Sequence, residues 1–301
     1  MAIPDPVPAN VSGQPAADGF PVGVGGPRFT TFGSTLTDLP LDCEGLTAPI
    51  TGANNGDAAR FIDILVPSRQ NRRMPRQARH TPGGMVYHVL NRGVAKLELF
   101  EKEADYVAFE QVLAEALVKH PTRLLAYCLM PTHWHMLLWP REDGEMTEFL
   151  RWMTHTHAMR WHAHRETLGR GHLYQGRFKS FPVQSDEHFY TVARYVERNA
   201  LRSNLVKKAE KWRWSSLWRR QFGDREAQQL LTAWPLPMPS GWVAHVNQPQ
   251  TEAEVNAIRT AVRRGSPYGS DAWQGRTAKK LGLESTLRPQ GRPRKPPAKP
   301  G

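Results

Sequence analysis

Leu129-Met130-Pro131-Thr132-His133-Trp134-His135-Met136-Leu137-Leu138-Trp139-Pro140 sets two histidines on either side of one bulky apolar residue. Side chains alternate across a strand, so His133 and His135 share one face, about 7 Å apart along the chain, while Trp134 enters the other. Both imidazoles can therefore reach one metal ion. The continuous apolar run behind them has the pattern of a buried central strand, which would hold such ligands rigidly. Residues 123–130 read as a second strand, joined to the first by Pro131-Thr132.

A helix some sixty residues downstream supplies the partner groups. In Phe189-Tyr190-Thr191-Val192-Ala193-Arg194-Tyr195-Val196-Glu197-Arg198-Asn199-Ala200-Leu201-Arg202, the residues Phe189, Val192, Val196 and Ala200 fall on one helical stripe. Tyr195 and Asn199, four residues apart, sit together along its edge. If this helix packs on the sheet beside the histidine strand, Tyr195 stands as a nucleophile and Asn199 as a third metal ligand.

With these residues the chain resembles the HUH superfamily of single-tyrosine transposases, in particular the REP-associated tyrosine transposases of bacteria. In that family a His-hydrophobe-His strand and a Tyr-x-x-x-Asn or Tyr-x-x-x-Gln helix form the site, matched by His133, His135, Tyr195 and Asn199. Met74-Pro75-Arg76, Leu90-Asn91-Arg92-Gly93, Gly171-His172-Leu173-Tyr174-Gln175-Gly176-Arg177-Phe178 and Trp214-Ser215-Ser216 also resemble family phrases. The likeness covers roughly residues 74–220. Asn199-Ala200 departs from the Asn-Pro of many relatives and lets the helix run on.

The resemblance implies a metal-dependent endonuclease and strand transferase acting on single-stranded DNA at hairpin-bearing repeats. Attack by Tyr195 leaves a 5′-phosphotyrosine and a free 3′-OH. Two imidazoles and an amide oxygen are neutral ligands, which leave a divalent ion its full charge to polarise a phosphate oxygen. Imidazole with oxygen suits Mn²⁺, and Mg²⁺ prefers oxygen ligands but is abundant. Relatives include homodimers that exchange tyrosine helices and others that act alone. A replication-initiator or relaxase-like nickase shares this chemistry but usually carries additional domains. A non-catalytic nucleic-acid-binding regulator would not need the four site residues intact.

The 301 residues carry 40 Lys and Arg against 28 Asp and Glu, a formal net charge of +12 that suits a polyanionic partner. Residues 1–73 hold 5 basic and 7 acidic side chains, so the basic excess belongs to the remainder. Only Cys43 and Cys128 are present, too few for a disulfide scaffold. No apolar run approaches the roughly twenty residues that cross a bilayer. These features point to a bacterial cytoplasmic, nucleoid-associated protein with no membrane partner.

Residues 1–73, rich in Pro and Gly, read as a disordered extension, and Met74 is a candidate translation start. Strands expected near 85–91, 123–130, 133–139 and 178–183 alternate with helices at 103–120, 147–166 and 186–202. That order is an α+β, ferredoxin-like sandwich, a central antiparallel sheet with helices on one side. The catalytic domain spans 74–220. Residues 221–250, with Pro235, Pro237 and Pro239, read as a linker. Residues 251–301 read as a helix-turn-helix (252–264 and 270–281) followed by a basic tail whose Gly291-Arg292-Pro293 resembles an AT-hook core.

Arg92, Arg177, Lys179, Arg194, Arg198 and Arg202 flank the expected site and are candidate DNA contacts, with Arg292 in the tail. His155, His157, His162 and His164 are too far apart on a helix for easy shared coordination and read as a solvated or DNA-facing surface. His88 and His188 read as structural.

Overall fold

The computed structural model describes residues 81–288, all within one unit, Arg72–Gly301. The expected extension over 1–73, the Met74-Pro75-Arg76 phrase and the Gly291-Arg292-Pro293 core lie outside the described residues.

The chain enters as β1 (Val86–Arg92), crosses through α1 (Glu103–Lys119), and returns as the hairpin β2 (Arg123–Met130) and β3 (His133–Trp139). It then forms α2 (Glu145–His164), β4 (Lys179–Val183), α3 (Glu187–Glu197) and α4 (Asn199–Arg202). The four strands pair antiparallel in the order β2-β3-β1-β4. The histidine strand is thus bonded on both sides, with His133 opposite Met130 and Arg92, and His135 opposite Cys128 and Leu90. The Pro131-Thr132 turn is fixed from outside: Leu99 N–H donates to Pro131 O and Gly93 N–H to Thr132 O. A side chain at Gly93 would put its Cβ 2.3 Å from Leu97 O, so this tie needs glycine.

Alternation divides the sheet into two cores. Tyr87, Val89, Tyr127, Leu129, Trp134, Met136 and Leu138 face α1 and α2. Val86, Cys128, Met130, Leu137, Phe181 and Val183 face α3. Helices therefore cover both faces rather than the one side expected, because β3 is apolar on both. Trp134 is fully buried, and truncating such a side chain costs about 3–5 kcal/mol. The second helix starts two residues earlier than its periodicity suggests, since the Glu145 carboxylate accepts from the backbone N–H of Arg141 and Glu142. α3 is capped by Asp186, whose side chain accepts from His188 N–H, and helical bonds continue through Arg198 into α4.

The stretch after residue 220 departs from the expected layout. Residues 221–250 are not a linker: α5 (Ser216–Phe222) and α7 (Trp242–Asn247) pack onto the α3 face, and α6 (Arg225–Gln229) is tied to α5 through Arg219, which donates to Ala227 O. Trp234 Nε1–H donates to Leu125 O and Trp242 Nε1–H to Glu197 Oε2. Proline excludes regular structure here but not burial. Nor do α8 (Glu252–Arg264), α9 (Asp271–Leu281) and α10 (Glu284–Leu287) stand apart as a helix-turn-helix. α8 is closed by Thr251 and Glu254 at its start and by Gly265 at φ 70° at its end. It buries Ile258 and Ala261 in the same core as α3. The segment between α8 and α9 joins the sheet edge instead, with Tyr268 N–H donating to Pro182 O and Gln184 N–H to Tyr268 O.

Candidate active site

His133, His135, Tyr195 and Asn199 line one cleft of about 630 Å³. The two histidines stay on the α3 face, and α3 lays Phe189, Val192 and Val196 on that face, which brings the tyrosine edge over β3. Ring centroids lie 5.1 Å apart for His133 and His135, and 5.8 Å apart for His135 and Tyr195.

Each imidazole is held by its Nδ1. His133 Nδ1 is 3.1 Å from Thr132 Oγ1, and His135 Nδ1 is 2.9 Å from His88 Nε2. Their Nε2 atoms are thereby left to the cleft. Burial, then the charges of Arg92 and Arg202, pushes the His133 pKa down to about 4. Burial, followed by the neighbouring histidines and arginines, holds His135 well below its ordinary value. Both rings are neutral, the form that ligates a metal. Two rings bound to one ion at about 2.1 Å stand with centroids about 5 Å apart, so this donor pair fits a divalent cation.

Asn199 is buried and its Oδ1 accepts from Arg202 Nη2 at 2.8 Å, leaving one lone pair. Its Nδ2 has no partner among the described residues. The Arg202 guanidinium also lies over the Tyr195 ring, with Cζ 4.0 Å from the centroid. The oxygen thus has the capacity for a third ligand, oriented by its own arginine.

Among the described residues the cleft wall holds five cations, Arg92, Arg177, Lys179, Arg202 and Arg259, and no carboxylate. Two arginines expected here are elsewhere. Arg194 donates to Gln248 O and Pro249 O, and Arg198 to Val246 O and Asn247 O, so both hold the end of α7 and its following turn. Arg259 was not among the sequence candidates, because the sequence does not reveal that α8 packs on this sheet. Its one visible signal is the pair Arg259 and Arg263, four residues apart on a helix.

The Gly171–Phe178 phrase frames the mouth. Tyr174 bridges to Gly93, and Gln175 N–H donates to Arg92 O. Tyr174 Oη accepts from Trp134 Nε1–H and lies 2.7 Å from His157 Nδ1, tying β3 to α2 from behind. His157 therefore faces the core, against the expected solvated surface, and is 4% exposed. A separate group, Asp186, Glu187 and His188, brings ligand atoms within 4.8 Å of one another. It lies at the start of α3, two turns from Tyr195, where Asp186 caps the helix and accepts from His188.

Residues 83–199 match the family model described as IS200-like transposase. No curated protein matches the chain. Among solved structures, a REP-associated tyrosine transposase bound to a REP hairpin matches with 17% identity and a TM-score of 0.38, covering 55% of this chain and 94% of that one. A candidate transposase from Deinococcus radiodurans matches with 15% identity and a TM-score of 0.30, covering 44% of this chain and 95% of that one. Among the described residues no helix is long and apolar enough to cross a membrane. Residues 83–199, which hold all four site residues, are thus similar to the IS200-like transposase family.

Proposed function

We propose that the protein is a metal-dependent single-stranded DNA endonuclease and strand transferase of the REP-associated type, which joins itself to DNA through Tyr195. One observation carries this reading: a tyrosine, two neutral imidazoles and an amide share a cleft that, among the described residues, is lined by five cations and no carboxylate. Phosphate is the ligand such a cleft attracts.

His133 and His135, with Asn199 as third ligand, would hold Mg²⁺ or Mn²⁺. A bound ion supplies Lewis acidity toward a non-bridging phosphate oxygen. The chain's own groups account for the rest. Arg92, Arg177 and Lys179 neutralise the strand, and Arg202 holds positive charge over the phenol as it loses its proton. The Tyr195 oxygen then bonds to phosphorus while the bond from phosphorus to the 3′ oxygen breaks, and that oxygen takes up a proton. The product is a 5′-phosphotyrosine and a free 3′-OH. Attack by a DNA 3′-OH reverses the step and restores the phenol, so strand transfer needs no outside energy source. Hairpin-bearing repeats are the substrate that the family phrases suggest, and one chain suffices for the chemistry.

Incubation with a labelled DNA hairpin carrying single-stranded flanks, with and without Mn²⁺, tests the reading. A covalent adduct on Tyr195 is expected, and Tyr195→Phe should lower cleavage on the order of 10⁴-fold or more. Wild-type cleavage by that variant would overturn the assignment. So would DNA binding by the intact protein with no cleavage on any hairpin tested, the behaviour of a regulator.

A further inference from the structure

Helix α8 forms a wall of the cleft that the matched residues 83–199 do not include. Ile258 and Ala261 anchor it in the core beneath, and this turns Arg259 and Val262 toward the space in front of Tyr195. Arg259 is exposed, and its side chain has no hydrogen bond or ion pair among the described residues. It nevertheless stands close enough to Arg202 for the two charges to oppose one another. An unpaired cation aimed at another cation across open space is stable where an anion comes between them.

A second cavity of about 410 Å³ shares Lys179 and Val262 with the cleft and continues past Ser180 and Arg263. The two adjoin at Lys179 and Val262, one residue of β4 and one of α8. Arg259 and Arg263 are one helical turn apart, about 6 Å of rise, comparable to the step between successive phosphates of a stretched single strand. Arg263, like Arg259, is exposed with no side-chain partner among the described residues. The neighbouring Arg264 is not available for this role, since it donates to Thr286 O, Ser285 O and Arg288 O.

Resting on the reading of a single-strand DNA enzyme, we infer that α8 is the outer wall of a strand channel: Arg259 and Arg263 bind successive phosphates of the single-stranded DNA leading away from Tyr195. Specificity for an unpaired arm would then come in part from a segment outside the shared transposase core.

The test uses full-length protein carrying Tyr195→Phe, so that binding is measured without cleavage. Its probes are a blunt DNA hairpin and the same hairpin with an oligothymidine arm on its 5′ or 3′ side, titrated at several salt concentrations. Arg259→Ala and Arg263→Ala should each reduce the salt slope on one armed probe by about 0.7, with the double variant losing about twice that, and leave the blunt hairpin unchanged. Both positions are exposed, and unchanged melting temperatures would verify the fold. Unchanged slopes on both armed probes would overturn the inference. Equal losses on blunt and armed probes would also overturn it, since α8 would then contact the stem. A cleaving Tyr195→Phe would sink the functional reading without altering these slopes, so the two failures are separable.

Discussion

His88 and His135 meet across the β1–β3 ladder, Nε2 to Nδ1 at 2.9 Å, with both rings buried. For His135 Nε2 to turn a lone pair to the cleft, its Nδ1–H must donate to His88 Nε2. His88 then carries its own proton on Nδ1, a buried atom with no partner among the described residues. Burial, with a smaller push from Arg202, lowers the His88 pKa to about 3 and keeps that ring neutral. On the proposed metal reading, His88 is a positioning residue that sets the tautomer of His135.

Replacing it should therefore act on the ion more than on the chain. His88→Gln retains an acceptor and should lower Mn²⁺ affinity about 10-fold, while His88→Ala should lower it towards 100-fold. Calorimetry would read both. Unaltered affinity in both variants would show that His88 only fills space beside Phe181.

Asn199 separates two demands on one amide. Asn199→Ala should weaken Mn²⁺ binding and leave Arg202 without its acceptor. Asn199→Asp adds a carboxylate ligand, so metal affinity should rise by about tenfold, while its charge beside Arg202 should weaken DNA binding. If metal affinity is the same for all three residues at this position, Asn199 is not a ligand.

Acid should destabilise the protein through His157. Burial, reinforced by Arg165 and opposed by Asp105, lowers its pKa from 6.5 to about 3 in the folded chain. The unfolded chain binds that proton below about pH 6.5, so the contribution is complete above this pH and is lost as pH falls towards about 3. His157→Gln should flatten the fall in stability across that window by about 1.4 kcal/mol per pH unit, the linkage of one proton. Urea unfolding of both proteins at several pH values would measure the difference, and parallel curves would refute it.

Truncation near residue 245 should disable the enzyme rather than merely lower its affinity. It removes α8, whose Ile258 is fully buried, and exposes the face formed by Phe181 and Val183. Losing one such side chain from a core forfeits about 1.5–3 kcal/mol, so a fall in melting temperature of several degrees is expected. Cleavage should stay impaired at saturating DNA. A truncated protein that melts and cleaves as the intact one does would make α8 dispensable.

The bounds of β2 and β3 are legible because two apolar runs flank Pro131-Thr132, and those of α8 because Thr251, Glu254 and Gly265 mark its ends. That His133, His135, Tyr195 and Asn199 share one cleft is consistent with the spacing of the first two on a strand and the last two on a helix. What sequence withholds is the partner of each polar group. Arg194 and Arg198 resemble phosphate ligands until carbonyls about fifty residues away are found to occupy them. His157 resembles its solvated neighbours until Tyr174 comes behind it. The prolines near 235–239 hide tryptophans that anchor the chain to Leu125 and Glu197.

The stretch from Trp214 to Trp234 has one more effect, at the rim of the sheet. Along the outer side of β2, Ser215 pairs with Cys128, Leu129 N–H donates to Trp214 O, and Ser216 Oγ receives Tyr127 N–H. Further along, Leu125 O accepts from Trp234 and Arg220, and Leu124 O accepts from Thr232 N–H. An edge so occupied has no row of free amides and carbonyls to template another strand. Two copies of this protein cannot merge their sheets through β2, and the same cover protects an apolar strand from amyloid-like stacking.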